Sequence, residues 1–430
     1  VARPHRPRVG VAAGEGIRLR YVGADDLARL EQVADVAFHA FEVPARTPGG
    51  FGAANPDPAA SAALDAFLDG LDAVVVCHGA PRVTAAMLDA HPRLRFVGEL
   101  EGDRLAGRVD VDAAAARDVV VVDTTHASSW PVAEWALALM LIGLRDAGDL
   151  FRRLVEGETV FATPGDREAS RSYGDAELTG KRVGLLGFGH IAWRLVELLA
   201  PFRTEIVAYD PYVPRELGPV TGVVFTSLER AMEADVVVCL LPLTPATERL
   251  VGPAALGHLR AGAVFVNVSR GRVVDSAALV ERLGRGDVGA ALDVFDPEPI
   301  PADAPIRGLR HVFLSPHLAG VTAESRRRFF ALMTDELLRY FAGDEPQHLL
   351  TPEIGRLRRQ GGPTASGPGT SPAGSPTASG PTASGPGTSP AGGPTASGPD
   401  ASPAGGPTAA PAGGRPADPV PSTPSRLEDR

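Results

Sequence analysis

The chain has 430 residues, a formal net charge of −10 and a pI near 5.5. That length accommodates two or three domains with sizeable cores. The acidic balance, with no basic block, makes nucleic acid and anionic membrane poor partners.

In chain order, the N-terminal VARPHRPRVG lacks the apolar core of a secretory signal. Arg8 to Ala12 predicts a first strand, and Leu27, Leu30, Val33, Val36 and Phe38 predict an amphipathic helix over 25–41. The Pro- and Gly-rich stretch 43–58 reads as loop. A helix over 62–71, a buried strand at 73–77 and the turn His78-Gly79-Ala80-Pro81 follow, then a helix over 83–90 and strands at 94–97 and 119–122. Strand and helix alternate throughout, which predicts a small α/β domain. Pro131 to Arg145 (PVAEWALALMLIGLR) is apolar nearly all round, as expected of a helix that is buried or forms a subunit interface. Its core, Val132 to Leu144, holds Glu134 and is too short to span a bilayer. Residues 149–180 read as irregular and polar. Cys77 and Cys239 each end a VVVC run, which predicts buried, reduced thiols and a cytoplasmic protein.

The stretch Lys181 to Asp210, KRVGLLGFGHIAWRLVELLAPFRTEIVAYD, organises the rest. An apolar run (Val183 to Leu186) leads into Gly187-Phe188-Gly189-His190-Ile191-Ala192, a G-x-G-x-x-A turn. A helical pattern follows, then a second strand ending in Asp210. This is the βαβ dinucleotide fingerprint. Gly187 permits the tight turn, Gly189 lets backbone approach a pyrophosphate, and Ala192 lets helix and strand pack closely. The helix N-terminus, opening at His190 and Ile191, offers free N–H groups and a positive dipole end to phosphates. Asp210, about 20 residues on, is placed to accept from a ribose hydroxyl. The cofactor expected is NAD.

Further strands are predicted at 223–225, 235–241, 263–268, 288–295 and 312–314, and a last amphipathic helix over 322–341. They complete a doubly wound parallel sheet, whose ligand sits at the carboxyl ends of its strands. From Gly361 the composition changes: PTASGP recurs from Pro363, Pro376, Pro381 and Pro394, and no aromatic residue follows. Such a sequence buries too little apolar surface to offset its chain entropy, so a disordered tail is expected.

Three segments end sheet strands and carry reactive groups: Asn267-Val268-Ser269-Arg270-Gly271, Asp293 to Pro299 (DVFDPEP), and Ser315 to Gly320 (SPHLAG). Taken singly, Arg270 reads equally as a surface ion pair, Glu298 as a loop charge and His317 as one of ten histidines. Together they offer a guanidinium, carboxylates and an imidazole around a nicotinamide. Arginine's planar fork matches a carboxylate, and a histidine braced by a carboxylate is a natural proton donor.

The motifs TGKRVGLLGFGHIA, YDPY, LPLTPAT, NVSRGRVVDSAALVERL, LDVFDPEP and SPHLAG, in this order, resemble the D-isomer-specific 2-hydroxyacid dehydrogenase family over roughly residues 70 to 345. The resemblance implies two Rossmann-like α/β domains with a cleft between them: a discontinuous substrate domain at 1–125 and 310–357, and an NAD-binding domain at 126–309, with the tail from 358 to 430. It implies catalytic roles for Arg270 (carboxylate grip), His317 (proton transfer) and Glu298 (support of the imidazole). Cofactor contacts are implied at Gly187, Gly189, His190, Ile191, Asp210, Leu241, Val268, Ser269, Asp293 and Gly320. Substrate contacts are implied at His78, Gly79, Glu101, Gly102 and again Arg270. No metal site is expected, and a homodimer through the helix 131–145 is. Where relatives carry a glycine-rich, carboxylate-binding loop, this chain reads GELEGDRLAGRVD from Gly98, two residues longer, with Glu99, Glu101 and Asp103 bringing negative charge to that pocket unless they point outward. Leu240 stands where relatives often have histidine. Two other readings fit the same fold: a nucleotide-sensing interaction protein of co-repressor type, and a formate- or phosphonate-type dehydrogenase.

Overall fold

Valine and alanine runs too apolar for a one-sided sheet build two parallel sheets with helices on their faces. The computed structural model describes residues 6–43, 54–102, 107–170, 173–174 and 176–360. The first sheet contains β1 (Arg8–Gly14), β2 (Asp35–Phe41), β3 (Ala73–Val76), β4 (Phe96–Glu99) and β5 (Val120–Asp123), in the order β2-β1-β3-β4-β5. The second contains β6 (Arg182–Leu186), β7 (Glu205–Tyr209), β8 (Val223–Phe225), β9 (Val236–Cys239), β10 (Val264–Asn267), β11 (Gly289–Leu292) and β12 (Val312–Leu314), in the order β12-β11-β10-β9-β6-β7-β8. Every strand pairing within them is parallel. Strand order reverses between β1 and β3 in one sheet and between β6 and β9 in the other, and each reversal opens a crevice at the strands' carboxyl ends.

Several elements differ from the sequence reading. The helix expected over 25–41 is a helix at Ala24–Glu31 followed by β2, which pairs with β1 from Arg8↔Asp35 to Gly14↔Phe41. Helical spacing of Leu27 and Leu30 is real, but beyond Glu31 the open edge of β1 captures the chain, a pairing that local periodicity does not encode. The loop at 43–58 falls mostly outside the described residues. The stretch 149–180 is not irregular throughout: it overlaps a helix at Ala147–Val155 and includes another at Pro164–Glu168, the latter opened by a Thr163–Asp166 capping box. Residues 312–314, assigned above to the first domain, pair with β11 in the second sheet, so the chain re-crosses after β12. Ala323–Ala342 then packs on the helices Glu15–Tyr21 and Ala24–Glu31, and Leu349 bridges Val122 at the edge of the first sheet.

With the turn Thr125–Ser128, the helix Ser129–Leu144 makes a 20-residue apolar rod, long enough to cross a bilayer by length and composition and longer than expected. It packs on β10, β11 and β12 and on the helix His190–Leu199, which buries about half of it, while Trp130 and Leu141 remain exposed. Three exposed apolar side chains cluster on the next helix: Phe151, Leu154 and Val155 are each more than 60% accessible, as Leu19 and Val220 are elsewhere. Cys77 and Cys239 are buried free thiols, pushed by desolvation up to about 12 and about 11 respectively. All these elements belong to one compact unit, Val1–Ser366.

Candidate active site

The turn after β6 has the geometry its sequence requires. Gly187 sits at φ +94°, and a Cβ there would press on the backbone of Leu240 and Leu241 at 3.2 Å. A Cβ on Gly189 would meet no atom within 4 Å, so open space lies against the turn where a pyrophosphate must come. His190 begins the helix His190–Leu199, whose N-cap Gly189 gives no side-chain bond to the first amides. Buried Ala192 packs this helix on the sheet. Asp210 accepts from Phe188 N–H at 2.8 Å through one carboxylate oxygen and from Tyr212 N–H at 2.9 Å through the other. Each oxygen keeps a lone pair for a ribose hydroxyl. The residues present therefore fit a dinucleotide. Among the described residues no three of His, Cys, Asp or Glu are grouped to hold a metal ion.

His317, Glu298 and Arg270 follow β12, β11 and β10, which are neighbours in the second sheet. His317 Nδ1 lies 2.5 Å from Glu298 Oε1. Burial opposes charge on Glu298, but the His317 hydrogen bond and charge, a backbone donor at Phe295 and the charge of Arg270 outweigh it and hold the carboxyl below its ordinary range. His317 adopts φ +51°, a left-handed conformation costing a non-glycine residue on the order of 1 kcal/mol or more. Surrounding bonds hold it there. Its N–H donates to Asp293 O at 2.9 Å, and the fully buried Asp293 carboxylate accepts from Ser315 Oγ (2.6 Å), Leu318 N–H (3.1 Å) and Ala319 N–H (2.9 Å). Asp293, expected at the cofactor, also ties down the His317 segment. Trp135 Nε1 donates to Ser315 Oγ at 3.2 Å and fastens the same segment to the helix Ser129–Leu144, the crossover helix between the two sheets. Arg270 Nη1 donates to Ser269 O at 2.8 Å, and Ser269 Oγ to Asn267 Oδ1 at 2.8 Å. Only glycine fits at 271: a Cβ would lie 1.8 Å from Phe295 O, so this glycine lets the Glu298 segment close on Arg270's strand end. Val268 and Leu241 are buried beside these strand ends, Ile191 is half-buried, and Gly320 approaches Ser128 and Val132. A cavity of about 540 Å³ lined by Val274, Leu279, Val280, Val294 and Ile300 lies behind the Glu298 segment; its lining does not include the cofactor turn.

The acidic loop after β4 resolves into a buried network. Glu99 does not enter a pocket: its side chain and that of Arg108 are both fully buried, with Arg108 Nη1 donating to Glu99 Oε1 at 2.9 Å. The same nitrogen donates to Glu101 O at 2.6 Å, and Arg108 Nη2 lies 2.8 Å from His78 Nδ1. Arginine only donates, so Nδ1 accepts and the ring's N–H is Nε2, which faces Glu101 Oε2 at 3.3 Å. The Tyr21 hydroxyl also donates to Glu101 Oε2. Burial alone would raise Glu101, but His78, Tyr21 and Arg108 lower it below the carboxylate norm; burial and the Glu101 charge push the Tyr21 phenol up. Gly102, expected to serve the substrate, donates its N–H to Thr125 Oγ1 at 3.0 Å. Gly79, at φ +94°, turns the chain after β3. Asp103 lies outside the described residues. Sequence reading named His78 and Glu101 but missed Arg108 and Tyr21, because nothing local marks an arginine that will be fully enclosed.

Two nucleotide-fold sheets, a phosphate-ready turn and an Arg–Glu–His set at adjoining strand ends define a dehydrogenase-like architecture, and comparison with known proteins makes this specific. Residues 137–319 match the family described as D-isomer specific 2-hydroxyacid dehydrogenase, NAD binding domain. The chain is 31% identical over 288 residues to the glyoxylate reductase of Aeropyrum pernix, covering 65% of this chain and 83% of that one. It is 30% identical over 280 residues to the D-3-phosphoglycerate dehydrogenase of Methanocaldococcus jannaschii, covering 64% and 51%. The chain thus spans about half the length of the phosphoglycerate dehydrogenase and most of the reductase. Among solved structures, a phosphoglycerate oxidoreductase from Rhizobium etli superposes with a TM-score of 0.65 at 25% identity, over 80% of this chain and 98% of that one. The chain belongs to the D-isomer specific 2-hydroxyacid dehydrogenase family, and 137–319 is its NAD-binding portion.

Proposed function

We propose that this chain is an NAD(H)-dependent oxidoreductase interconverting a 2-oxo acid and its D-2-hydroxy acid. The observation carrying this reading is the His317–Glu298 pair, held in a strained backbone conformation at a strand end adjoining that of Arg270. Arg270 takes the substrate carboxylate on its planar fork and sets the carbonyl toward His317. His317 Nε2 gives its proton to the carbonyl oxygen, while Glu298 holds Nδ1–H and stabilises the charged imidazole beforehand. NADH, when bound, supplies the hydride to C2. In the oxidative direction the neutral imidazole takes the hydroxyl proton. Asp210 favours NAD(H) over NADP(H), since its carboxylate would repel a 2′-phosphate.

On the same reading the protein is a homodimer through the helix 131–145, only about half of which is covered within the chain, with the exposed Phe151, Leu154 and Val155 of the next helix extending that face. A cytoplasmic location agrees with the buried free thiols of Cys77 and Cys239.

A panel of 2-oxo acids with NADH and with NADPH, followed at the nicotinamide absorbance, tests the proposal. Turnover of at least one 2-oxo acid with NADH preferred is the expected result. An NADH-binding protein that turns over none of them, and that oxidises neither formate nor phosphonate with NAD, refutes the catalytic reading and leaves the nucleotide-sensing one.

A further inference from the structure

Three histidines from distant parts of the sequence meet beside the cofactor turn. His190 is the first residue of the helix that opens on the pyrophosphate position, and it is exposed there. Its ring stacks on that of His126, with centroids 4.6 Å apart and planes inclined by 27°. His126 is buried, in the turn Thr125–Ser128 through which the chain leaves β5 for the crossover helix. Its ring also contacts that of His348, with centroids 4.1 Å apart. His348 belongs to the first sheet: its carbonyl accepts from Asp123 N–H at 3.0 Å, and Leu350 N–H donates to Val121 O at 2.8 Å. The buried Glu336 accepts from the Gln347 N–H at 2.7 Å and anchors the segment from the other side. The rings therefore run unbroken from the phosphate turn of one sheet, through the connection between the sheets, to the edge of the other.

We propose that His126 is a positioning residue for the dinucleotide: its ring couples the phosphate turn to the first sheet, so cofactor binding and the ordering of the segment 347–350 are one linked event. This rests on the cofactor reading above. A pyrophosphate settling on the amides at Gly189 to Ile191 fixes the backbone of His190 and hence its ring. A fixed His190 ring gives His126 a rigid neighbour, and His126 in turn restrains His348. Neither glycine turn nor helix dipole supplies this link; it needs a planar ring at 126. The stack is worth what an aromatic pair is worth, so its loss should weaken binding by roughly 3- to 10-fold.

The test measures NADH affinity by calorimetry together with backbone hydrogen exchange, with and without NADH. In the wild type, NADH should slow exchange both at Gly187 to Ile191 and at Gln347 to Leu350. His126→Ala should weaken NADH binding by that factor and lose the slowing at Gln347 to Leu350, while keeping it at the turn. His126→Phe preserves a stacking ring and should restore both. His348→Ala, at a half-buried site, should lose only the distant slowing; it decides the matter if His126→Ala does not fold. Slowing at Gln347 to Leu350 that persists in His348→Ala, or a His126→Ala protein that binds NADH like wild type, overturns the proposal. A wild type that fails to bind NADH overturns the cofactor reading and this proposal with it.

Discussion

At the scale of single residues, the reactive set separates by kinetic signature. His317 acts mainly in the transition state, so His317→Ala should lower kcat by on the order of 10² to 10⁴ with a smaller change in KM. Arg270 grips the carboxylate before and during reaction, so Arg270→Lys, which keeps the charge but loses the fork, should raise KM for the 2-oxo acid and stay clearly impaired. Glu298→Gln removes the charge that favours the imidazolium. Glu298→Gln should therefore lower kcat by less than His317→Ala does, without turnover being abolished. Steady-state kinetics across pH on the best 2-oxo acid decide among these; a His317→Ala protein with wild-type kcat would assign proton transfer elsewhere. These three residues could be read from the sequence because each sits in a short motif at a predicted strand end. Their mutual geometry could not: the 2.5 Å contact joins positions 298 and 317 through the return of β12 alongside β11.

At the scale of elements, the ends of β3 and β4 are joined by the Arg108 network, and its energetics are those of a buried ion pair. Removing Arg108 alone leaves the fully enclosed Glu99 carboxylate without its guanidinium partner. Arg108→Leu should therefore cost roughly 3 to 5 kcal/mol, measured by denaturant unfolding. Glu101 adds a pH signature. Its folded pKa lies below its ordinary value of 4.5, so the stability it contributes is fully present above about pH 4.5 and is lost as pH falls through the folded value. The melting temperature of Glu101→Gln should accordingly fall below that of wild type near neutrality, and the gap should close in acid. An equal gap at both pH values would show that Glu101 stabilises by packing rather than by charge. Element identity was mostly evident from apolar runs and turn residues. One exception, β2, has a helix-like spacing and becomes a strand because β1 offers it an edge.

At the scale of the whole molecule, two outcomes follow from where apolar surface lies. Phe151, Leu154 and Val155 are each more than 60% exposed on one short helix, and a second copy is the simplest cover for them. Light scattering should find a dimer at micromolar concentration, and Phe151→Glu with Leu154→Glu should give a monomer; a wild-type monomer would retire the idea. Among the described residues the buried hydrophobic ones fall between Val9 and Leu350, and truncation after Gln360 should leave the melting temperature within a few degrees of the full chain. A large loss would mean that residues beyond 360 stabilise the domains.

Sequence alone determined the class of this protein: the fingerprint from Lys181 to Asp210 and the ordered motifs after it specify a parallel sheet, a dinucleotide turn and three reactive side chains, since each depends only on residues close together in the chain. Tertiary structure alone decided which charges face one another. Glu99 looks like a pocket-facing charge until Arg108 encloses it, Glu101 and His78 are joined to the same arginine, and His126, His190 and His348 are unrelated until the chain between the sheets and the returning C-terminal segment bring their rings within stacking distance. The physical reason is the same in both cases: burial and ring contact are properties of pairs far apart in sequence, and folding, not local propensity, makes those pairs.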